Sequence, residues 1–312
     1  MRILFCSEGF SAAPRLLRAR LPDDEVVACA TDAVRDALDG VDIVIPAMAR
    51  IGADVMDAGR FRLIQQWGVG LEGVDLAAAR ARGIWVANVP SGGMGNAESV
   101  AELAVLLILA LLRRFPEAQA AVRAGVLGAP LGQALLGRTI CLVGLGHVGS
   151  ALAKRLQPFG VTLCGVGRRP DGSPVAHLGL ARYYPIGALH AALADADVVA
   201  LCLPVTAETR GLFDAAAFAA IKPGAYLVNV ARGPLVDYAA LRDALASGRL
   251  AGAGLDVFWQ EPIAPDDPLL AYNVIATPHV GGVTDRGYNG IADAVAANVE
   301  RLRRGEPPLN EH

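Results

Sequence analysis

The chain has 312 residues, 54% of them apolar and only 19% charged, with 28 Lys and Arg against 31 Asp and Glu for a formal charge of −3. That is about twice a usual domain of roughly 150 residues, so two packed domains are expected, and the apolar content excludes an unfolded chain. Without a basic excess, nucleic acid is not expected as a partner.

The first residues lead straight into an apolar run, Ile3–Phe5, with no signal-peptide pattern. Strand-like runs then follow at Ile43–Ile45, Leu63–Gln66, Ile84–Ala87, Thr139–Val143, Val161–Val166, Val198–Leu203, Tyr226–Val230, Gly254–Val257 and Val274–Thr277, separated by Ala-rich helical stretches. Such alternation predicts an α/β protein with parallel sheets covered by helices on both faces, and so many strands call for two sheets. A glycine-rich turn at Asn88–Gly95 leads into a helix from about Asn96 past Leu112, and Leu127–Leu136 reads as a loop or arm. The apolar run Leu103–Leu112 stops at Arg113-Arg114, short of the about 20 residues that cross a bilayer. Near the end, Gly281-Gly282 precedes a last helical segment, Ile291–Arg304. If that helix packs on the first sheet, two doubly wound, Rossmann-like or flavodoxin-like domains result. A dinucleotide-binding domain, 92–280, is then inserted into a substrate-binding domain of 1–91 and 281–312, with glycine hinges at both crossings.

The five cysteines, Cys6, Cys29, Cys141, Cys164 and Cys202, are odd in number and lack a C-x-x-C pair. They read as core thiols of a reducing compartment and provide no zinc site. The expectation is a cytoplasmic protein with no metal and no membrane partner.

Thr139–Val143 opens into Gly144-Leu-Gly146-His-Val-Gly149, a G-x-G-x-x-G pattern, followed by helical Ser150–Gln157 and the strand Val161–Val166. The glycines alone are a weak signal, but strand, turn, helix and strand together make a dinucleotide-binding unit. Gly144 permits the tight turn, Gly146 lets backbone approach a pyrophosphate and Gly149 lets helix and strand pack closely, while the helix N-terminus offers N–H groups to phosphate. Gly144, Gly146, His147, Val148 and Gly149 are therefore the expected cofactor contacts, against the plainer alternative of a turn without a ligand. NAD-binding versions carry an acid about 20 positions beyond the motif. Here the strand ends Val166-Gly167-Arg168-Arg169. Gly167 removes the group that would repel a 2′-phosphate, and Arg168 and Arg169 supply phosphate-binding forks. NADP(H) is expected ahead of NAD(H), unless the arginines are simply solvated charges.

Reduction of a carbonyl needs an acid near neutral pH, and histidine is the natural candidate. His312 is terminal, His177 and His190 lie in the stretch beyond the arginines, and His147 faces phosphate or solvent. His279, in Ala276-Thr-Pro-His-Val-Gly-Gly282, directly follows a strand, where parallel α/β sheets bind ligands. Taken alone, a core histidine is its plainer reading. Two further strand ends add weight. Arg232, in Asn229-Val-Ala-Arg-Gly233, is suited to bind a carboxylate with two prongs and polarise a carbonyl. Glu261, beyond Gly254–Val257, is placed to hold His279 in one tautomer and favour its protonated form. Arg, Glu and His at successive strand ends suit 2-keto acid reduction; a salt bridge or solvated loop charges are the alternative for Arg232 and Glu261.

Together with Leu203-Pro-Val-Thr-Ala-Glu-Thr209 and Trp67-Gly-Val-Gly70, these stretches resemble the D-isomer-specific 2-hydroxyacid dehydrogenase family over nearly the full chain. That family includes D-3-phosphoglycerate dehydrogenases and glyoxylate/hydroxypyruvate reductases. The resemblance implies Arg232 on the substrate carboxylate and keto oxygen, His279 as acid/base and Glu261 as its support. It implies Asp256 near the nicotinamide, Thr209 lining the cofactor, and main-chain N–H groups of Val69 and Gly70 on the substrate carboxylate. It also implies a homodimer through the nucleotide-binding domain. The missing acid at Gly167 brings the chain nearer the NADPH-using glyoxylate/hydroxypyruvate reductases, and a regulatory domain of the serine-feedback phosphoglycerate dehydrogenase type is not expected. The expected activity is NADPH-dependent reduction of a small 2-keto acid to the D-2-hydroxy acid. Two alternatives stay open: an NAD-dependent D-2-hydroxyacid or D-3-phosphoglycerate dehydrogenase, and a nucleotide-sensing, corepressor-like binding protein.

Overall fold

The computed structural model describes residues 1–168 and 176–312. Its strands are β1 (Arg2–Phe5), β2 (Glu25–Ala28), β3 (Ile43–Ile45), β4 (Leu63–Gln65), β5 (Trp85–Ala87), β6 (Thr139–Val143), β7 (Thr162–Gly167), β8 (Arg182–Pro185), β9 (Val198–Leu201), β10 (Ala225–Asn229), β11 (Leu250–Leu255) and β12 (Val274–Ala276). They form two parallel sheets, a five-stranded one in the order β2-β1-β3-β4-β5 and a seven-stranded one in the order β12-β11-β10-β9-β6-β7-β8. The first is the flavodoxin-like order. Counted from β6, the second is the doubly wound dinucleotide-binding order with one more strand at its far edge. The chain divides accordingly into two compact units, Met1–Asn96 with Thr284–His312, and Ala97–Val283.

Both faces of each sheet are buried, which is why the central strands read as unbroken apolar runs. In the first unit, Ile3, Phe5, Ile43, Ile45 and Leu63 pack against Leu17 and against Ile291, Val295 and Val299 of the last helix. Leu4, Val44 and Ile64 face the other way, onto Val55, Met56 and Phe61. In the second unit, Cys141 and Val143 of β6 join one core while Ile140 and Leu142 join the other.

Several boundaries differ from the sequence expectation. β2 and β8 were not anticipated; both are edge strands, and apart from buried Val26 their residues are exposed or half-buried. β9 stops at Leu201 and β11 begins at Leu250. The helix after the glycine turn is His147–Leu156, one turn earlier than read, and the last helix starts at Asp285 rather than Ile291. There Thr284 caps the helix, its hydroxyl accepting the Gly287 N–H at 3.0 Å, a polar start that apolar periodicity does not show. No described helix is long and apolar enough to cross a membrane.

Candidate active site

The glycine turn lies at the carboxyl end of β6, beside β9, where the strand order reverses. Gly144 has φ +98°, and a Cβ there would lie 2.7 Å from the Cys202 carbonyl carbon. At Gly149 a Cβ would meet the Gly144 oxygen at 2.0 Å, so no other residue fits. Gly146, the residue before the helix, is different: a Cβ meets nothing within 4 Å, and the residue is exposed. The first two glycine demands come from packing, while open space over Gly146 and the first helical turn, His147, Val148 and Gly149, leaves room for a phosphate group.

The residues expected to act on the substrate follow the ends of β10, β11 and β12. Buried Asn229, the last residue of β10, donates its amide to the Arg232 carbonyl at 2.8 Å and accepts the Ala231 N–H at 3.0 Å. Those bonds shape the turn that carries the Arg232 guanidinium, and Gly233 follows because a Cβ there would sit 2.2 Å from the Phe258 carbonyl carbon. Glu261 accepts the Phe258 N–H at 2.9 Å and pairs with His279 Nδ1 at 2.6 Å. Burial works to raise the Glu261 carboxyl, but the bond and charge of His279, the Phe258 N–H and the charge of Arg232 outweigh it and hold it below the usual range. Arg232 and His279 thus both act on one carboxylate.

Asp256, just past β11, is buried and fully engaged. Its oxygens accept from the Thr277 hydroxyl at 2.6 Å and from the Val280 and Gly281 N–H groups at 2.8 Å each. Its own carbonyl accepts the His279 N–H at 2.9 Å. Burial pushes its carboxyl above the usual range against those bonds. These contacts grip both sides of His279, whose φ of +53° is left-handed, a conformation that few side-chain-bearing residues adopt. The structure therefore gives Asp256 a bracing contact with the His279 loop, which spacing alone did not reveal.

In the first unit, the loop after β4 is tied down by its carbonyls. The Val89 N–H donates to the Gly68 oxygen at 2.8 Å, the Asn88 amide to the Val69 oxygen at 2.8 Å and the Gln66 amide to the Gly70 oxygen at 2.6 Å. In a trans peptide the N–H points opposite to the carbonyl, so the Val69 and Gly70 N–H groups point away from those partners.

Of the remaining expected residues, Thr209 spends its hydroxyl inside its own loop, accepting the Thr206 N–H at 2.7 Å and donating to the Pro204 oxygen at 2.8 Å. Arg168 is exposed just beyond β7, with its charge reaching Glu208 of that loop. Arg169 lies outside the described residues. Asn229 and Gln66, which hold the Arg232 turn and the Gly70 loop, were not singled out from sequence; a polar residue at the end of an apolar strand was their available signal.

Strand order and glycine turn define the dinucleotide-binding class. A family model for the D-isomer specific 2-hydroxyacid dehydrogenase NAD binding domain matches residues 105–281. The chain is 39% identical over 270 residues to a glyoxylate reductase of Korarchaeum cryptofilum, covering 83% of this chain and 79% of that protein. It is 37% identical over 290 residues to a D-3-phosphoglycerate dehydrogenase of Mycobacterium tuberculosis, covering 91% of this chain but 52% of that relative, about half its length. Among solved structures, the NADPH-dependent glyoxylate/hydroxypyruvate reductase of Sinorhizobium meliloti, in complex with NADP and malonate, aligns with a TM-score of 0.84 at 35% identity, covering 100% of this chain and 96% of that one. The chain belongs to the D-isomer-specific 2-hydroxyacid dehydrogenase family and is an NAD(P)-dependent dehydrogenase of that kind.

Proposed function

We propose that the protein reduces a small 2-keto acid of the glyoxylate or hydroxypyruvate kind to the D-2-hydroxy acid, preferring NADPH. The observation that carries this reading is the Glu261–His279 pair at 2.6 Å, with Arg232 acting on the same carboxylate. Substrate binding is assigned to Met1–Asn96 with Thr284–His312, and the dinucleotide to Ala97–Val283. Gly144, Gly146, His147, Val148 and Gly149 hold the pyrophosphate, and the open space over Gly146 fits that role. Arg168 and Arg169 take the 2′-phosphate, while Thr209 and Asp256 line the cofactor; NAD(H) serves less well. When bound, the reduced nicotinamide supplies a hydride.

The rest of the chemistry belongs to side chains and backbone of this chain. The N–H groups of Val69 and Gly70 take the substrate carboxylate. Arg232 binds carboxylate and keto oxygen and stabilises charge developing on the latter. His279 has Nδ1 committed to Glu261, so Nε2 delivers the proton to the keto oxygen and removes it in the reverse direction. Replacing His279 by Gln is expected to slow reduction by about 10²–10⁴-fold.

A homodimer through the nucleotide-binding unit and a cytoplasmic location complete the reading. Leu127 and Leu131 are 99% and 90% exposed, with Leu106, Phe115 and Val122 also open, more apolar surface in one stretch than a lone unit usually shows. The cysteines are free, as in a reducing compartment.

The test is a panel of 2-keto acids with both cofactors. NADPH is expected to give the higher kcat/KM on glyoxylate or hydroxypyruvate. A clear NADH preference overturns the cofactor assignment. Tight NADPH binding without turnover overturns the enzymatic one in favour of a nucleotide-sensing protein.

A further inference from the structure

The first unit contains a run of buried amides that reaches from the last residues of the chain to the Gly70 loop. The Leu309 N–H donates to Asn298 Oδ1 at 2.7 Å, and Asn298 Nδ2 donates to the Leu309 oxygen at 3.1 Å and to Gln65 Oε1 at 2.7 Å. Gln65 Nε2 donates to the Gln66 carbonyl at 3.0 Å. Gln66 then uses its whole amide: Oε1 accepts the Trp67 N–H at 2.8 Å, and Nε2 donates to Gly70 at 2.6 Å and to Ala47 at 3.2 Å. Gln65 is fully buried and Gln66 is 7% exposed. Burying two glutamine amides side by side is unfavourable unless every polar atom is satisfied, and an apolar pair would pack here without that demand. The three bonds of the Gln66 amide all go to loop backbone groups, the Trp67 N–H and the Gly70 and Ala47 carbonyls, so their effect is on loop shape.

We propose that Gln66 is a positioning residue for the substrate carboxylate, with Gln65 and Asn298 as the outer rungs of the same ladder. By fixing the Trp67 N–H and the Gly70 oxygen, it sets the loop through which the Val69 and Gly70 N–H groups are aimed. Its second donor bond, to Ala47, ties in the loop after β3, where Ala47 has φ +51°. The tail adds a parallel support: the His312 N–H donates to Val86 at 2.9 Å, and Asn88, whose amide holds the Val69 oxygen, donates its own N–H to Asn310 at 3.4 Å. The inference rests on the reading of Val69 and Gly70 as carboxylate donors.

The test uses steady-state kinetics of the full-length enzyme with Gln66→Met, which keeps length and volume without hydrogen bonds, and Gln66→Glu, which keeps the acceptor for Trp67 but sets a carboxylate against two carbonyls. Gly68→Ala perturbs the loop directly, because Gly68 has φ +145°, which side chains rarely permit. Whichever Gln66 variant folds is expected to raise KM for the keto acid by about tenfold or more, with kcat and KM for NADPH changed far less, since contacts made equally in ground and transition state appear in KM. A Gln66 variant with wild-type keto-acid KM, beside a Gly68→Ala enzyme whose KM rises, overturns the positioning role and leaves the carboxylate loop standing. Unchanged KM in both overturns the loop assignment itself. Equal losses in kcat and in both KM values mark a general folding effect and also overturn the proposal.

Discussion

Replacing Glu261 by Gln tests the proposed acid–base pair with the least disturbance. The pair is short, 2.6 Å, and largely withdrawn from water, with side-chain exposures of 15% for Glu261 and 27% for His279. It therefore belongs with charge-assisted hydrogen bonds, worth about 1.5–3 kcal/mol, and not with surface ion pairs near zero. In the variant one amide end still accepts the Phe258 N–H, so the other presents NH₂ to Nδ1. The ring then accepts at Nδ1 and carries its proton on Nε2 as a neutral imidazole, a poor acid. Losing about 1.5–3 kcal/mol corresponds to a fall of about 10- to 150-fold in kcat/KM for reduction at neutral pH. The assay is kcat/KM for keto-acid reduction under saturating NADPH. An enzyme within about threefold of wild type refutes the role given to this pair.

Three other substitutions test the frame around it. Gly149→Ala places a Cβ 2.0 Å from the Gly144 oxygen, a backbone atom that cannot swing aside, and is expected to cost about 1–3 kcal/mol or more in thermal stability and to abolish NADPH binding; unchanged melting and fluorescence titration would count against the turn geometry. Gly167→Asp restores an acid at the end of β7, and the Tyr183 hydroxyl, 2.9 Å from the new Cβ, must shift to admit it; the NADPH to NADH ratio of kcat/KM is expected to fall by about 10- to 100-fold, and a constant ratio would sink the account of cofactor choice. Asp24 is a half-buried residue whose side chain is withdrawn from water and takes the chain's amino terminus at 2.6 Å and Arg303 at 2.6 Å, bonds that overcome desolvation and hold its carboxyl below the usual value. Because the folded state binds its proton less tightly than the unfolded one, its stabilisation is present above about pH 4 and fades as pH falls through the lower folded value. Asp24→Asn is expected to lower stability by about 1–3 kcal/mol at pH 7 and by much less near pH 3; a gap that stays constant or widens in acid would contradict the sign.

Much of this molecule is legible in its sequence because parallel strands with both faces covered are apolar at every position. Ile43–Ile45 and Thr139–Val143 are legible for that reason, and G-x-G-x-x-G is legible because two of its glycines are fixed by atoms 2.0 and 2.7 Å away. Glu25–Ala28 and Arg182–Pro185 are less legible, each opening on an exposed charged residue and holding only two or three apolar ones. The His279–Glu261 pairing follows from strand ends of one sheet coming together. The grip of Asp256 on the His279 loop and of Gln66 on the Gly70 loop does not, since each depends on which carbonyl or N–H a buried side chain meets after folding.

The placement of those buried polar residues carries a physical logic of its own. Those buried among the described residues are Ser7, Gln65, Gln66, Asn88, Ser99, Asn229, Asp256 and Asn298. Gln65 and Asn229 are the last residues of β4 and β10; Gln66, Asn88 and Asp256 are the first residues beyond β4, β5 and β11; Ser7 is two beyond β1. Only Ser99 and Asn298 lie elsewhere, and Asn298 bonds to Gln65. At the carboxyl end of a parallel strand the ladder stops and the next backbone groups must find other partners. An apolar residue there would leave a loop to water and to many conformations. Asn229, Asp256 and Gln66 instead capture specific carbonyl or N–H groups of the Arg232, His279 and Gly70 loops. Burying an amide or carboxylate stabilises little net, and burial pushes the Asp256 carboxyl above the usual carboxylate range. What such residues supply is a single loop geometry at the side of the sheet where parallel α/β folds bind their ligands. Substituting them is therefore expected to affect substrate handling more than melting temperature, the reverse of substituting Ile43 or Leu142.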